Sequence, residues 1–345
     1  MFSKLVGNEH VKHTLKHLLA NERVPNAMLF AGDDGIGKRQ FALEVARMFV
    51  CVAPNGHEAC GVCPPCRRAD VFVFPTSEKG DDYDFVFFSE HPDVGMVIPF
   101  RRNVRIGAIR ALEREAHFRP YEAQARVFII EDAEKMADPA ANALLKTLEE
   151  PAPTSHIFLI TSRPDSLLPT IRSRCQTLRF APVEASEIEK FLIEQRAFSR
   201  DEARLAARLS RGSIGRAVSI NVKQFRSQRE RMIAVLKNAI ETGDLAALLR
   251  IAEELNDAKN KDSFEENLDI LQSLIHDVWT FRVSGDESRI VHSDLADNLT
   301  RLSEESRSTD LPAWLAAIDK IRLDLAVNIN KKIASDALFI SMAGA

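Results

Sequence analysis

Short, uniformly apolar runs punctuate a chain that is otherwise patterned at helical spacing. Ala27–Ala31, Val127–Ile130 and Ile157–Ile160 are four or five residues long and give way to polar or turn-forming residues. Such runs predict strands buried on both faces, as in a parallel sheet covered by helices. Helical spacing connects Val11, Leu15, Leu18 and Leu19 before the first run, and Phe41, Val45, Phe49 and Val50 after it. Residues 21–26 read as the loop into the first strand. Ile106, Ile109, Leu112 and Ala116 mark another helix, and a short strand is expected within 94–99. The segment 138–151 predicts a helix with Asp138 as N-cap, Pro139 at its first position and Pro151 beyond its end. A last strand runs through Leu178 and Phe180. Alternation of this kind predicts a doubly wound α/β sheet over residues 1–182.

Two β-prone runs, Val71–Phe74 and Phe85–Phe88, flank a polar turn carrying Lys79, Gly80, Asp81 and Asp82. They predict a hairpin insert over 70–90 whose aromatics pack against the domain. Strand signals stop near residue 183. Residues 183–222 read as a small helical domain, with a glycine-containing turn over 210–217 opening a helix. Residues 223–345 carry only helical patterns: Met232/Val235/Leu236, Leu245/Leu248/Leu249, Leu271/Leu274/Ile275/Val278, Trp314/Ile318/Ile321/Leu325 and Ile333/Leu338/Ile340. Residues 256–262 and 284–286 are expected linkers. There is no internal repeat and no low-complexity tract.

Composition narrows the class. The chain has 345 residues, 45% of them hydrophobic, enough for two or three domains with a substantial core. No apolar run approaches a membrane span, and the first residues lack the pattern of a signal peptide, so a cytosolic address is expected. A formal net charge of −4 argues against a protein that coats nucleic acid, because phosphate contacts need concentrated Lys and Arg. DNA contact is then local or shared with partners.

The first strand leads into Gly32-Asp33-Asp34-Gly35-Ile36-Gly37-Lys38, and a helical pattern follows. This is the strand-loop-helix context of a phosphate-binding loop. Gly32, Gly35 and Gly37 let successive N–H groups face an anion at a helix N-terminus, and Lys38 is placed to reach the outer phosphates. The next position, normally a Ser or Thr that holds magnesium, is Arg39, which cannot ligate a cation. The second buried run ends in Glu131-Asp132, delivering carboxylates to the sheet edge where such folds bind ligands.

Cys51, Cys60, Cys63 and Cys66 lie in a Pro- and Gly-rich loop, at a spacing that supplies four ligands to a tetrahedral structural zinc ion. The alternative is four reduced thiols packed in the loop. His57 is either a substitute ligand or a solvent-facing residue. Cys175 reads as a small buried residue.

Several longer motifs occur in order: Gly7-Asn8-Glu9, the phosphate loop, the cysteine cluster, His91-Pro92-Asp93-Val94, Asn142 through Pro151, Leu168 through Cys175, and Gly215-Arg216. Together they resemble bacterial DNA polymerase III clamp-loader subunits of the AAA+ class, strongly over 1–220 and loosely beyond, where Asn328, Asn330 and Lys331 are similar to the family's collar. His91-Pro92-Asp93 and the degraded phosphate loop are more similar to the delta-prime branch than to the gamma/tau motor. The resemblance implies an AAA+ domain over 1–182 with the zinc module at 51–66, a helical lid over 183–222 and a collar or oligomerisation domain over 223–345. It implies a hetero-pentamer with gamma/tau and delta subunits that places a sliding clamp on primer-template DNA, within the DNA polymerase III holoenzyme at the nucleoid.

The resemblance also assigns residues. Arg174 is expected to act in trans as an arginine finger on a neighbouring subunit's ATP; the alternative is a surface ion pair. Ser162 and Arg216 occupy the family's two sensor positions, with nucleotide-reading or purely structural roles. Glu131 and Asp132 invert the usual Asp-Glu order, a second defect beside Arg39. ATP or ADP in this chain's own degenerate site is therefore doubtful, and its own ATPase activity is expected to be absent. Three functions compete: a non-hydrolysing stator donating Arg174, an active motor subunit, and a zinc-stabilised DNA-binding module.

Overall fold

In the computed structural model of the chain, which describes residues 2–256, 263–286, 289–307, 310–325 and 330–344, the strands are Ala27–Ala31 (β1), Phe87–Phe88 (β2), Val94–Val97 (β3), Arg126–Ile130 (β4), Ser155–Thr161 (β5) and Gln176–Arg179 (β6). They form one six-stranded sheet in the order β2-β3-β4-β5-β1-β6, parallel except for the antiparallel β2–β3 edge. In β1 the alternation of strand side chains divides the core into two layers. Leu29 joins Phe128, Ile130 and Leu159 on one face, covered by Ile106–Ala116 and Asp138–Glu149. Met28 and Phe30 join Val127, Ile129 and Phe158 on the other, covered by Glu9–Ala20 and Lys38–Val50. Both faces are apolar, which is why these strands carry no polar alternation. A register slip of one residue would exchange the two layers, so packing on both sides fixes the pairing of Leu29 with Leu159.

In chain order the helices of this first unit are Glu9–Ala20 (α1), Lys38–Val50 (α2), Pro64–Arg68 (α3), Ile106–Ala116 (α4), Asp138–Glu149 (α5), Pro169–Arg172 (α6), Ala185–Arg196 (α7), Arg200–Leu209 (α8) and Ile214–Ser219 (α9). Two compact units are distinguished, Met1–Ser219 and Ile220–Ala345. The boundary expected at 182/183 lies inside the first of them.

The second unit contains Val222–Lys237 (α10), Leu245–Asn256 (α11), Phe264–Ser284 (α12), Ala296–Glu305 (α13), Asp310–Leu325 (α14) and Lys331–Met342 (α15). Leu271, Leu274, Ile275 and Val278 of α12 sit at the centre of its core with Met232, Leu248, Leu302 and Ile318.

The structure corrects four local expectations. The 70–90 insert is not a hairpin of its two runs: Phe87–Phe88 pairs with β3, and the first run contributes only a bridge from Phe72 to Ser89. Val73 is 83% exposed, so that run lacks a second buried face to fix it as a strand. Helix α5 begins at Asp138 with Ala137 as N-cap, and Asp138 makes no capping bond. Pro139 tolerates either of the first two helical positions because no intrahelical N–H bond is needed there. In α15, Ile333 and Ile340 are exposed, and Ala334, Leu338, Phe339 and Met342 form the buried face. Finally, Ser284 belongs to α12, which stops at Gly285 with φ 63°, a conformation that suits glycine. Residues 257–262 of one expected linker, and Asn328, lie outside the described residues. Among the described residues no helix is long and apolar enough to cross a membrane.

Candidate functional site

The phosphate loop leaves the carboxyl end of β1 and opens α2, with Gly37 as N-cap at φ 102°. Several of its carbonyls accept hydrogen bonds. Lys38 Nζ donates to Gly32 O at 2.5 Å and Asp33 O at 2.7 Å. Ser213 Oγ donates to Asp34 O at 2.8 Å, and the Gly215 N–H to Gly35 O at 2.7 Å. The N–H groups of Asp34 through Gln40 donate to no described residue. The loop is thus polarised, with carbonyls satisfied and amides free, as an anion cradle requires. Lys38, expected to extend toward phosphate, is folded back and buried. Burial pushes its amine below the usual lysine range, against the opposing pull of Asp34, Glu134 and Glu131.

Gly215 shows why the first turn of α9 carries glycine. A Cβ there would lie 3.1 Å from Gly35 Cα, so the turn and the phosphate loop approach backbone to backbone.

Arg39, one residue further, turns toward the sheet. Its Nε donates to Glu131 Oε1 at 2.6 Å and its Nη2 to Met96 Sδ at 3.3 Å. The Phe74 ring, from the 70–90 insert, lies 5.9 Å from the guanidinium. Burial raises the Glu131 carboxyl above the usual range, and Arg39 opposes that rise. The Arg39 guanidinium therefore supplies the positive charge that faces the acid at the end of β4.

Asp132 diverges from its neighbour. It adopts a left-handed backbone, and its Oδ2 accepts from Lys135 Nζ at 2.8 Å. Ser162, at the end of β5, donates its Oγ to Glu134 Oε1 at 2.6 Å and its N–H to the same oxygen at 3.2 Å. Burial alone would raise the Glu134 pKa, but these bonds hold it below the usual range.

Two cavities flank the loop. One, of about 520 Å³, is lined by Lys38, Arg39, Glu131, Phe191 and Arg196 among others. The second, of about 620 Å³, is lined by Glu134, Ser162, Arg163, Arg211 and Arg216. Asp34 and Asp132 border both. The loop glycines, Lys38, Glu131, Asp132, Ser162 and Arg216 are thus gathered at the carboxyl edge of the sheet.

Arg174 is not part of this cluster. It follows α6, and its Nη2 donates to Glu149 Oε1 at 2.5 Å while Nη1 donates to Thr170 O at 2.9 Å. Glu149 closes α5, so two elements fix the guanidinium near the surface. Cys175 beside it is buried, and burial pushes its thiol up to about 12.

The sulfurs of Cys51, Cys60, Cys63 and Cys66 lie within 4.8 Å of one another. A tetrahedral ion with metal–sulfur bonds of about 2.3 Å sets sulfurs about 3.8 Å apart, so the four fit a metal ion. N–H groups of Cys60 and Cys63 point at Cys51 Sγ and Cys60 Sγ, each at 3.3 Å. Backbone donors from Val62 and Cys63 lower the Cys60 thiol to about 6, while burial raises Cys51 and Cys66. Such a set suits a cation, which would neutralise thiolates together. His57 is exposed and outside the set.

Two of the motifs prove structural. Asp93 is buried at the opposite edge of the sheet and accepts from the N–H groups of Tyr121, Glu122 and Ala123. Buried His91 accepts from Asp93 N–H at 3.2 Å, and buried Arg126 stands 3.6 Å from the Asp93 carboxylate. Asn8 exchanges two hydrogen bonds with the backbone of Ala181. The sequence motifs assigned no role to Glu134, Ser213, Glu149 or Phe74. Glu134, three residues beyond Glu131, carried the best signal, since a third acid after a buried strand invites a partner.

A parallel sheet in this strand order, with a phosphate loop after β1 and acids after β4, defines an AAA+-type α/β domain. The sequence profile described as "DNA polymerase III, delta subunit" matches residues 7–184, and "DNA polymerase III, delta subunit, C terminal" matches 223–340. DNA polymerase III subunit delta' of Bacillus subtilis is 30% identical over 321 residues, covering 93% of this chain and 91% of its own. Subunit delta' of Escherichia coli is 28% identical over 310 residues, covering 89% and 86%. Subunit tau of Escherichia coli is 29% identical over 224 residues, covering 64% of this chain and 32% of its own. The chain belongs to the DNA polymerase III delta-prime family.

Proposed function

We propose that this chain is the non-hydrolysing, delta-prime-like subunit of a DNA polymerase III clamp loader, and that it presents Arg174 to the ATP of a neighbouring gamma/tau subunit. The observation that carries the first half is the Arg39–Glu131 pair at 2.6 Å: the acid that would help hold magnesium is occupied by a fixed guanidinium. Arg174 supports the second half, offering a planar fork of donors near the surface and steadied by Glu149 and Thr170.

In this reading the assembly is a hetero-pentamer with gamma/tau and delta, acting in the cytoplasm at the nucleoid. It reaches the sliding clamp and primer-template DNA as a complex. The metal of the cysteine module is zinc, which stabilises the fold without entering the chemistry. Residues 183–222 are the lid and 223–345 the collar.

Steady-state ATP turnover tests it. The purified chain should show none above background, and the loader reconstituted with gamma/tau and delta should hydrolyse ATP. Turnover by the isolated chain on the order of 1 per second or faster would overturn the stator reading in favour of a motor subunit.

A further inference from the structure

Helix α1 carries three of the chain's nine histidines, His10, His13 and His17. Their spacing places them on one side of the helix, and all three are exposed. The other six histidines stand far apart along the chain. The lysines interleaved with the three are paired elsewhere. Lys12 Nζ pairs with Glu9 Oε1 and donates to Leu5 O, each at 2.6 Å, and Lys16 Nζ pairs with Glu58 Oε1 at 2.6 Å. Neither ammonium is left unpaired beside the imidazoles.

The rings differ in their commitments. His10 Nε2 lies 2.7 Å from Arg179 O at the end of β6, so it donates there and ties its ring to the sheet. Asn21 holds the His17 ring, its Nδ2 standing 3.2 Å from Nε2 and 3.4 Å from Nδ1 while donating to His17 O at 2.8 Å. His13 stands one turn before His17. Residues four apart on a helix have Cβ atoms about 5–6 Å apart. Two imidazoles at that spacing reach a single ion from one helix face.

We infer that His13 and His17 form a second metal site, a two-nitrogen clip for a divalent transition ion such as zinc, nickel or copper. Neutral imidazole favours these ions over magnesium and calcium, which take oxygen ligands. Each ring gives the ion one nitrogen lone pair, and the Asn21 amide yields that of His17. Unlike the four-sulfur set, two ligands leave positions for water or for a donor from another molecule. The ion links adjacent turns of α1 and so stabilises the helix. None of the three histidines lines a cavity beside the phosphate loop, and the site does not depend on the non-hydrolysing reading.

The test is calorimetric titration of the full-length chain with nickel ions, the cysteine module being loaded with zinc beforehand and its zinc measured before and after. One nickel ion per chain should bind. His13→Ala and His17→Ala should each weaken binding about tenfold or more, and His10→Ala should change it by less than about twofold. Alanine is the best helix former, so these exposed variants should fold, as circular dichroism would verify. Nickel should also slow amide exchange across α1 in the wild type but not in His13→Ala. The inference is overturned by no nickel uptake, by uptake matched by release of zinc, by undiminished binding in either His13→Ala or His17→Ala, or by an equal loss in His10→Ala.

Discussion

Arg39 Nε and Glu131 Oε1 lie 2.6 Å apart, joining the start of α2 to the end of β4 across 92 residues of chain. Glu131 is largely buried and Arg39 partly exposed, so the pair ranks between a surface and a buried ion pair. Arg39→Ala should cost about 1 kcal/mol at pH 7. Without the arginine, burial and the Asp132 charge act on Glu131 with only Lys38 opposing, so its folded-state pKa rises further above its unfolded value. A raised carboxyl destabilises the fold as pH climbs from the unfolded value toward the folded one, so the cost should shrink at pH 5. Urea denaturation at both pH values checks this; an equal loss at each would mean that Glu131 is not the group responsible.

Arg174 and Glu149 give a second pair, the one on which the proposed finger rests. Arg174→Ala should leave assembly intact and slow hydrolysis at the adjoining ATP site by about 10³-fold, as removal of an arginine finger does. Arg174→Lys should rescue little, since an ammonium lacks the planar fork. Glu149→Gln should change stability by no more than about 0.5 kcal/mol, the pair being exposed, yet reduce loader ATPase by loosening the finger. Single-turnover kinetics of reconstituted loaders separate these outcomes, and normal rates in Arg174→Ala would refute the assignment.

The cysteine module predicts one metal ion per chain. Elemental analysis should find zinc, and Cys60→Ser should release it. Removal should lower the melting temperature, because an ion bound only by the folded form stabilises it by mass action. An unchanged melting curve after verified metal loss would mean that the module adds nothing to stability.

In the second unit, His292 is fully buried with its ring 6.1 Å from Phe225. Burial first, and Arg229 second, lower its pKa from 6.5 to about 4, with Asp294 opposing. Below pH 6.5 the unfolded chain takes up a proton that the folded chain refuses. Stability is therefore lost as pH falls from about 6.5 toward 4, by roughly 3 kcal/mol at the limit. His292→Phe should flatten that dependence. Hydrogen exchange of α10 and α12 at pH 7 and pH 5 would show it; an unaltered pH response in the variant would assign the effect to other groups.

Gly215→Ala should be costly for a reason local to one contact. Its Cβ would meet the Gly35 backbone at 3.1 Å, which a side-chain rotation does not relieve. A loss of about 1–3 kcal/mol is expected, with faster hydrogen exchange confined to the phosphate loop and α9.

The sequence by itself determined the buried strands, the phosphate loop, the four-cysteine spacing and the helical second half. Each rests on local physics: an apolar run has one stable environment, glycines permit one kind of loop, and Cys-x2-Cys steps fix how near two sulfurs can come. It misplaced the strand pairing of 70–90 and the buried face of α15, where a short apolar run fits more than one partner. Tertiary structure decided what the site residues do. Sheet order brings the carboxyl ends of β1, β4 and β5 together, and only there does Arg39 find Glu131, Ser162 find Glu134, and the Ser213–Gly215 turn close on the loop. Those partners lie 28 to 179 residues apart along the chain, beyond the reach of periodicity or motif spacing. Arg39 was visible as a defect in a motif; its pairing with Glu131, beside the Met96 sulfur and the Phe74 ring, came only from the fold.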